Sequence, residues 1–304
     1  MEVLVTGATG FIGRHLVPRL CDAGHAVAAM TRDPARYHGP GTVVTGDIGD
    51  PASLRRALAG RDVAYYLVHS LASPDFADRD RAGARAFAAA ARAAGVARVV
   101  YLGGLGDETD DLSPHLRSRR EIEHLLASEV PTTVLRAGIV IGDGSISWEL
   151  LRQLVVRLPA MLTPRWVDTR TQPIALDDAL VYLVGVCDRS ETIGQTYEIG
   201  GPEPLTYRSM LQTVARMTGR HRAIVPVPVL SPRLSSLWLR LITDVDLTTA
   251  RTLVDSLTTE VTVHDRAIED LLDHHPMSFP EAAAAALAAR ERRLHPPRPE
   301  PAAT

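Results

Sequence analysis

The strongest constraint on this chain is a turn written into its first sixteen residues. Val3 to Leu16 reads VLVTGATGFIGRHL, an apolar run followed by three glycines at Gly7, Gly10 and Gly13 and then an amphipathic segment. The run predicts a buried strand and the segment after it a helix, so the glycines fall where one must turn into the other. Each has its own mechanical task. Gly7 permits the tight turn, Gly10 lets a pyrophosphate approach the main chain, and Gly13 lets the helix close on the strand. The leading N–H groups of that helix then face the phosphates with the helix dipole behind them. Thr9, Phe11 and Ile12 complete the turn and share the expected contact.

A second strand is predicted over Ala26 to Thr31, ending at Arg32. In dinucleotide folds the residue roughly 20 positions beyond the glycines meets the adenosine ribose, where an acid suits a 2′-hydroxyl and an arginine a 2′-phosphate. Arg32 therefore favours NADP(H) over NAD(H), while Asp33 beside it keeps NAD(H) open. Val43 and Val44 lead into Gly46-Asp47-Ile48. There Asp47 can accept from an adenine amino group with Ile48 against the ring, or simply cap the next turn.

Further strands are expected over Val63 to Val68, Val96 to Leu102 and Thr133 to Ile141, with helices over Pro51 to Ala59, Arg81 to Gly95 and Leu116 to Ser128 between them. In open parallel sheets ligands gather at the carboxyl ends of strands. Leu67, Val68, His69, Gly103, Gly104, Ala137 and Gly138 should accordingly border the cofactor. The acidic loop Asp107 to Asp111 reads as solvated, for want of a cation-ligand pattern.

Beyond residue 142 the alternation loosens. A helix carries Leu150, Leu151, Leu154 and Val155; another covers Leu176 to Val186, a late strand Thr196 to Ile199, and a further helix Met210 to Thr218. Arg233 to Ile242 presents Leu234, Leu237, Trp238 and Leu241 on one helical face, a stripe that suits core packing better than a membrane or a pocket cover. The fold predicted is α/β, a Rossmann-type doubly wound parallel sheet with a smaller C-terminal substrate-binding lobe. Residues 1–141, completed by 174–200, form the nucleotide-binding core; 142–173 and 201–292 form the lobe; 293–304, rich in proline, form a disordered tail.

The chain of 304 residues contains no lysine, so all 33 basic residues are arginine. That excludes a Walker P-loop, Schiff-base catalysis and any lysine acid or base. A net charge of −3 offers no electrostatic footprint for nucleic acid. Cys21 and Cys187 give neither a disulfide framework nor a metal-ligand spacing. A first strand starting at residue 3, with no apolar run near the ~20 residues of a membrane helix, points to a cytoplasmic protein.

Thr6-Gly7-Ala8-Thr9-Gly10-Phe11-Ile12-Gly13, Arg32, Asp47-Ile48 and Tyr101-Leu102-Gly103-Gly104 together resemble the short-chain dehydrogenase/reductase superfamily, most closely its atypical, NmrA-like NAD(P)H-binding branch. The resemblance covers residues 1 to about 200. Members with standard chemistry carry a serine or threonine after the fifth strand and a Tyr-x-x-x-Lys pair on the next helix. Here Gly103-Gly104 stands where the hydroxyl belongs, His115 at the tyrosine position and Arg119 at the lysine position. Arg119 can hydrogen-bond the cofactor ribose, and His115 can exchange a proton near neutral pH or merely line the helix start. His69 is a second proton-transfer candidate.

Substrate contacts are expected from Ser145, Ser147, Trp148, Arg165, Trp166 and Gln172, with a tryptophan stacking an aromatic group and Arg165 holding a carbonyl or carboxylate. The resemblance implies an NADP-dependent oxidoreductase that reduces a small organic carbonyl or enone, and it allows a homo-oligomer. Two alternatives stand beside it. One is a catalytically silent NADP(H) sensor acting through a protein partner; the other is a cofactor-retaining isomerase, epimerase or dehydratase.

Overall fold

The computed structural model describes residues 1–70, 73, 75–106, 112–158, 160–163, 165–226, 249 and 255–296. The acidic loop at 107–111 and the apolar stripe at 233–242 lie outside the described residues. In chain order the strands are β1 Glu2–Val5, β2 Ala26–Thr31, β3 Thr42–Thr45, β4 Val63–Tyr66, β5 Arg98–Gly104, β6 Thr132–Ala137, β7 Val140–Ile141, β8 Ala160–Thr163, β9 Arg170–Thr171, β10 Ile174–Ala175, β11 Thr196–Ile199, β12 Leu205–Thr206 and β13 Ala223–Pro226. The helices are α1 Gly13–Asp22, α2 Pro51–Leu58, α3 Phe76–Ala93, α4 Pro114–Ala127, α5 Ile146–Arg157, α6 Leu176–Asp188, α7 Tyr207–Met217, α8 Ala267–Leu272 and α9 Phe279–Leu294.

Seven strands form one parallel sheet in the order β11-β6-β5-β4-β1-β2-β3. Successive side chains on a strand point to opposite faces, and this sheet shows it residue by residue. Val3 and Val5 pack with Leu16, Val17 and Leu20 of α1 and with Leu180 and Leu183 of α6. Leu4 between them packs on the other face with Leu54 of α2, Phe87 of α3 and Ile122 of α4. Central strands buried on both faces are what a parallel sheet covered by helices requires. Each fully buried leucine or phenylalanine there contributes about 1.5–3 kcal/mol relative to exposure.

Sequence order runs outward from β1 in one direction to β3 and resumes at β4 on the other side, so the strand order reverses between β1 and β4. Crevices at such a reversal collect ligands in open α/β sheets. The helices that reach this edge are capped by the residues that precede them. Asp50 accepts from the Ala52 amide at the start of α2, and Ser113 accepts from the Leu116 amide at the start of α4.

A separate core holds the segments after β6. Trp148, Leu151, Leu154 and Val155 of α5 pack with Met210, Leu211 and Val214 of α7 and with Phe279, Ala283 and Ala286 of α9. α8 does not join them. Its Ile268 and Leu272 belong to the sheet-side core, Leu272 lying so close to α6 that a Cβ on Gly185 would meet its Cδ1 at 2.8 Å.

Several boundaries differ from the sequence-based expectation. The helix expected from Arg81 begins at Phe76, which places Asp80 inside it. The strand expected over Thr133 to Ile141 breaks into β6 and β7 at Gly138, where a side-chain Cβ would lie 2.6 Å from the Gln172 carbonyl oxygen. Residues 293 and 294, expected in the tail, are instead the last turn of α9, and Arg293 pairs with Asp143. Residues 297–304 lie outside the described residues.

Candidate active site

A cavity of about 600 Å³ opens at the carboxyl ends of β1, β4, β5 and β6 and runs from the glycine turn into the second core. Its floor is Gly7, Gly10, Phe11, Ile12 and Gly13. Gly7 has φ +66°, the left-handed region that favours glycine, and a Cβ there would lie 2.9 Å from the Leu67 carbonyl oxygen. Gly13 packs tighter still, since a Cβ would come within 2.3 Å of the Gly7 carbonyl oxygen. The first turn of α1 carries no acidic residue and no side-chain cap. The Gly10, Arg14 and His15 amides bond to the Gly7, Gly10 and Ile12 carbonyls, while the Phe11, Ile12 and Gly13 amides have no acceptor among the described residues, so the turn is positively polarised and fitted to a phosphate.

The adenosine side is open surface. Arg32 is exposed directly after β2 and makes no hydrogen bond or ion pair among the described residues. Asp33 beside it is spent on capping, its carboxylate accepting from the Ala35 amide at 3.1 Å. Asp47 takes the local role that competes with adenine binding, Oδ1 accepting from the Gly49 amide at 2.8 Å. Ile48 packs toward α3, where its Cδ1 would lie 2.6 Å from a Cβ on Gly83. Val68 also turns into the α2–α3 core, and Thr9 is exposed, so neither lines the cavity.

The middle of the cavity is bordered by Leu67, His69, Gly103, Gly104, Ala137, Gly138, His115 and Arg119. His115 and Arg119 stand one turn apart on α4, as i and i+4 residues on one helix face must. The Arg119 guanidinium donates to the Leu102 carbonyl and lies over the Tyr101 ring, its central carbon 5.0 Å from the ring centroid. Burial raises the Tyr101 hydroxyl to about 12, with Arg119 opposing that rise.

The two histidines meet. His69 Nε2 lies 3.2 Å from His115 Nδ1, with the ring planes 21° apart. On its other side His69 Nδ1 lies 2.5 Å from Oδ2 of Asp80, a carboxylate that is 0 % exposed inside α3. Burial holds the His115 imidazole well below its ordinary value, with His69 and Arg119 adding repulsion. His69 is also lowered by burial, but less freely, because its hydrogen bond to Asp80 pulls the other way. Asp80 escaped the sequence reading because an acidic residue in an alanine-rich helix resembles a solvated position. The signal was present: Asp80 shares the buried face of Ala84 and Phe87, at i+4 and i+7.

The far end is apolar, with Leu150, Leu151 and Leu154 of α5, Trp166, and Tyr207 and Leu211 of α7. Ser145 and Ser147 line the passage to it, although Ser145 Oγ already donates to the Val140 carbonyl at 2.7 Å. Trp166 meets Tyr207 edge-on at 5.9 Å between centroids. Two expected substrate contacts fall elsewhere. Trp148 is 0 % exposed in the second core, on the stripe it shares with Leu151 and Val155. Gln172 is buried with both ends occupied, Nε2 donating to the Gly201 carbonyl at 2.5 Å and Oε1 accepting from the Val263 amide at 2.9 Å. Arg165 opens a short 3-10 turn, and its side chain lies outside the described residues.

A family model described as NAD(P)H-binding matches residues 7–152. The (4-alkanoyl-5-oxo-2,5-dihydrofuran-3-yl)methyl phosphate reductase of Streptomyces griseus is 32% identical over 223 residues, covering 72% of this chain and 74% of that protein. The ceramide reductase of Caulobacter vibrioides is 34% identical over 200 residues, covering 63% of this chain and 62% of its own length, so less than two thirds of that relative is spanned. An NADPH-dependent quinone oxidoreductase of Escherichia coli, solved with NADPH, superposes with a TM-score of 0.77 at 22% identity, covering 93% of this chain and 98% of that one. At that identity the likeness is one of fold.

Proposed function

This chain belongs to the atypical short-chain dehydrogenase/reductase superfamily of NAD(P)H-binding proteins, and from that premise we propose that it is an NADP(H)-dependent reductase of an apolar organic carbonyl or enone. The observation that carries the reading is one continuous cavity: a bare phosphate turn at one end, two histidines and an arginine in the middle, and a leucine-rich wall at the other. The reductase names of two relatives support it.

Main-chain amides at Phe11 to Gly13, which have no acceptor among the described residues, hold the pyrophosphate, and Arg32 pairs with a 2′-phosphate. Arg119 supplies positive charge and hydrogen bonds beside the ribose of the nicotinamide half, anchored by its bond to Leu102. When bound, the cofactor supplies a hydride. His115 faces the same space and exchanges the proton that balances the hydride at the substrate oxygen or the adjoining carbon. The leucines of α5 and α7 keep water from that exchange and select substrates with an apolar body. Ser147 lies between the two regions and orients the substrate's polar end.

The test is NADPH oxidation by the purified protein against a panel of ketones, enones and quinones, alongside a binding titration with NADPH. Oxidation by at least one class with an apolar substituent is expected. NADPH binding with no oxidation by any member would replace this reading with a sensor; turnover without net NADPH loss would replace it with a cofactor-retaining isomerase.

A further inference from the structure

Asp80, His69 and His115 form a chain that the superfamily's usual tyrosine and lysine do not provide. Asp80 Oδ2 accepts from His69 Nδ1 at 2.5 Å. His69 Nε2 reaches His115 Nδ1 at 3.2 Å, and His115 lines the cavity. The contacts leave only His115 Nε2 without a partner among the described residues, so it is the one ring nitrogen of the pair available to a ligand. We propose that these three side chains are a one-proton relay in which Asp80 and His69 are positioning residues that set which form of His115 faces the substrate; the proposal rests on the reductase reading for its chemical use.

The tautomers follow from the order of partners. Asp80, as a carboxylate, accepts only, so His69 carries a proton on Nδ1. In the neutral pair His69 Nε2 then accepts from His115 Nδ1–H, and His115 presents a bare Nε2. One added proton reverses the middle bond: His69 Nε2–H donates to His115 Nδ1, and His115 presents Nε2–H. In reduction, hydride arrives at the substrate carbon as the His115 Nε2–H bond breaks and an O–H bond forms on the substrate. The proton on His69 Nε2 moves to His115 Nδ1, restoring the neutral pair. NADPH is the reductant and is oxidised to NADP⁺; the relay loses one proton, which solvent returns.

The charges around the pair fit this use. Asp80 from α3 favours the protonated pair, and Arg119 from α4 opposes it. Tyr66 and Tyr101, from β4 and β5, stand near Asp80 with hydroxyls held neutral by burial. Phe76 closes one side of His69 at 6.3 Å between ring centroids. With Asp80 as the carboxylate, the singly protonated triad carries no net charge, which offsets part of the burial cost of protonating the pair.

Two measurements on the full chain test it. Nitrogen-15 imidazole NMR should show His69 and His115 both protonated on Nδ1 in the neutral pair and sharing a single proton on acidification. In Asp80→Asn the uptake of that proton should move to lower pH by about 1–3 units. His115 held as the Nε2–H tautomer, or two histidines titrating independently and unmoved in Asp80→Asn, would overturn the relay. In parallel, turnover of 2-cyclohexenone with NADPH by Asp80→Asn should lose about 10- to 100-fold in kcat, with NADPH affinity retained and the fall-off of rate with rising pH displaced to lower pH. Partial recovery in Asp80→Glu would separate positioning from simple loss of fold. An unshifted pH profile in an active Asp80→Asn would also overturn it. Absence of wild-type turnover would count against the reductase reading alone, since the NMR arm still decides the relay.

Discussion

Arg119 lies across the ring of Tyr101 at 5.0 Å while donating to the neighbouring Leu102 carbonyl. The guanidinium is thus held against β5 by two contacts at once. A planar, forked cation stacks on a ring face and donates in a fixed direction at once, whereas a point-charge ammonium offers no planar fork.

Arg119→Ala should therefore weaken NADPH binding by about tenfold or more, as expected for losing a charged hydrogen-bond donor. Arg119→Lys should recover only part of it. Fluorescence titration of NADPH with the three proteins checks this, and full recovery by lysine would show that charge alone matters.

Among the described residues Arg32 has no partner to release, and Asp33 is tied to its own turn. Arg32→Ala should cost about tenfold or more in NADPH affinity and leave NADH affinity nearly unchanged. Equal losses for both coenzymes would remove the case for NADP(H).

Gly13 tolerates no Cβ, because Gly7 carbonyl oxygen would lie 2.3 Å away. Gly13→Ala should destabilise the fold by about 1–3 kcal/mol through forced separation of helix and turn, seen as a lower midpoint in urea. Gln172→Ala should also destabilise, since Gly201 and Val263 would lose their buried partner. Because neither end of Gln172 faces the cavity, substrate KM should not move in that variant.

The histidine pair also sets a pH dependence of stability. His69 and His115 are both lowered in the folded protein, chiefly by burial. The unfolded chain takes up their protons near the ordinary value of about 6.5, whereas the folded chain resists. Their contribution is therefore present above that pH and is lost as pH falls below it toward the folded values. Thermal melts from neutral to acidic pH should show a falling midpoint, with a shallower fall in His115→Gln. An equal slope in both proteins would exclude His115 as a source.

Much of the sheet was legible because its rules are local. Ala26–Thr31 and Thr196–Ile199 match their expected bounds, since β-branched and apolar runs between turn residues leave little choice. The glycine turn and His69 were legible from strand ends, and His115 and Arg119 from the positions the family resemblance assigns to a tyrosine and a lysine; all border one cavity. What escaped depends on contacts distant in sequence. Asp80 acquires its meaning only when α3 brings it against His69, and Gln172 only when β9 and β10 pass Gly201 and Val263. Trp148 was a different kind of miss: its spacing with Leu151 and Val155 already marked it as interior.

α8 seats Ile268 and Leu272 against α6, although the chain on either side of it serves the second core. The polypeptide is thereby sewn back through the nucleotide-binding half after it has left. Neither half is a module that could be cut free and grafted: one severed ahead of α8 would keep a hole beside Gly185, and the other would carry an orphaned greasy helix. The far wall of the cavity, built on α5 and α7, can then be reshaped only by substitution within a frame that stays stitched.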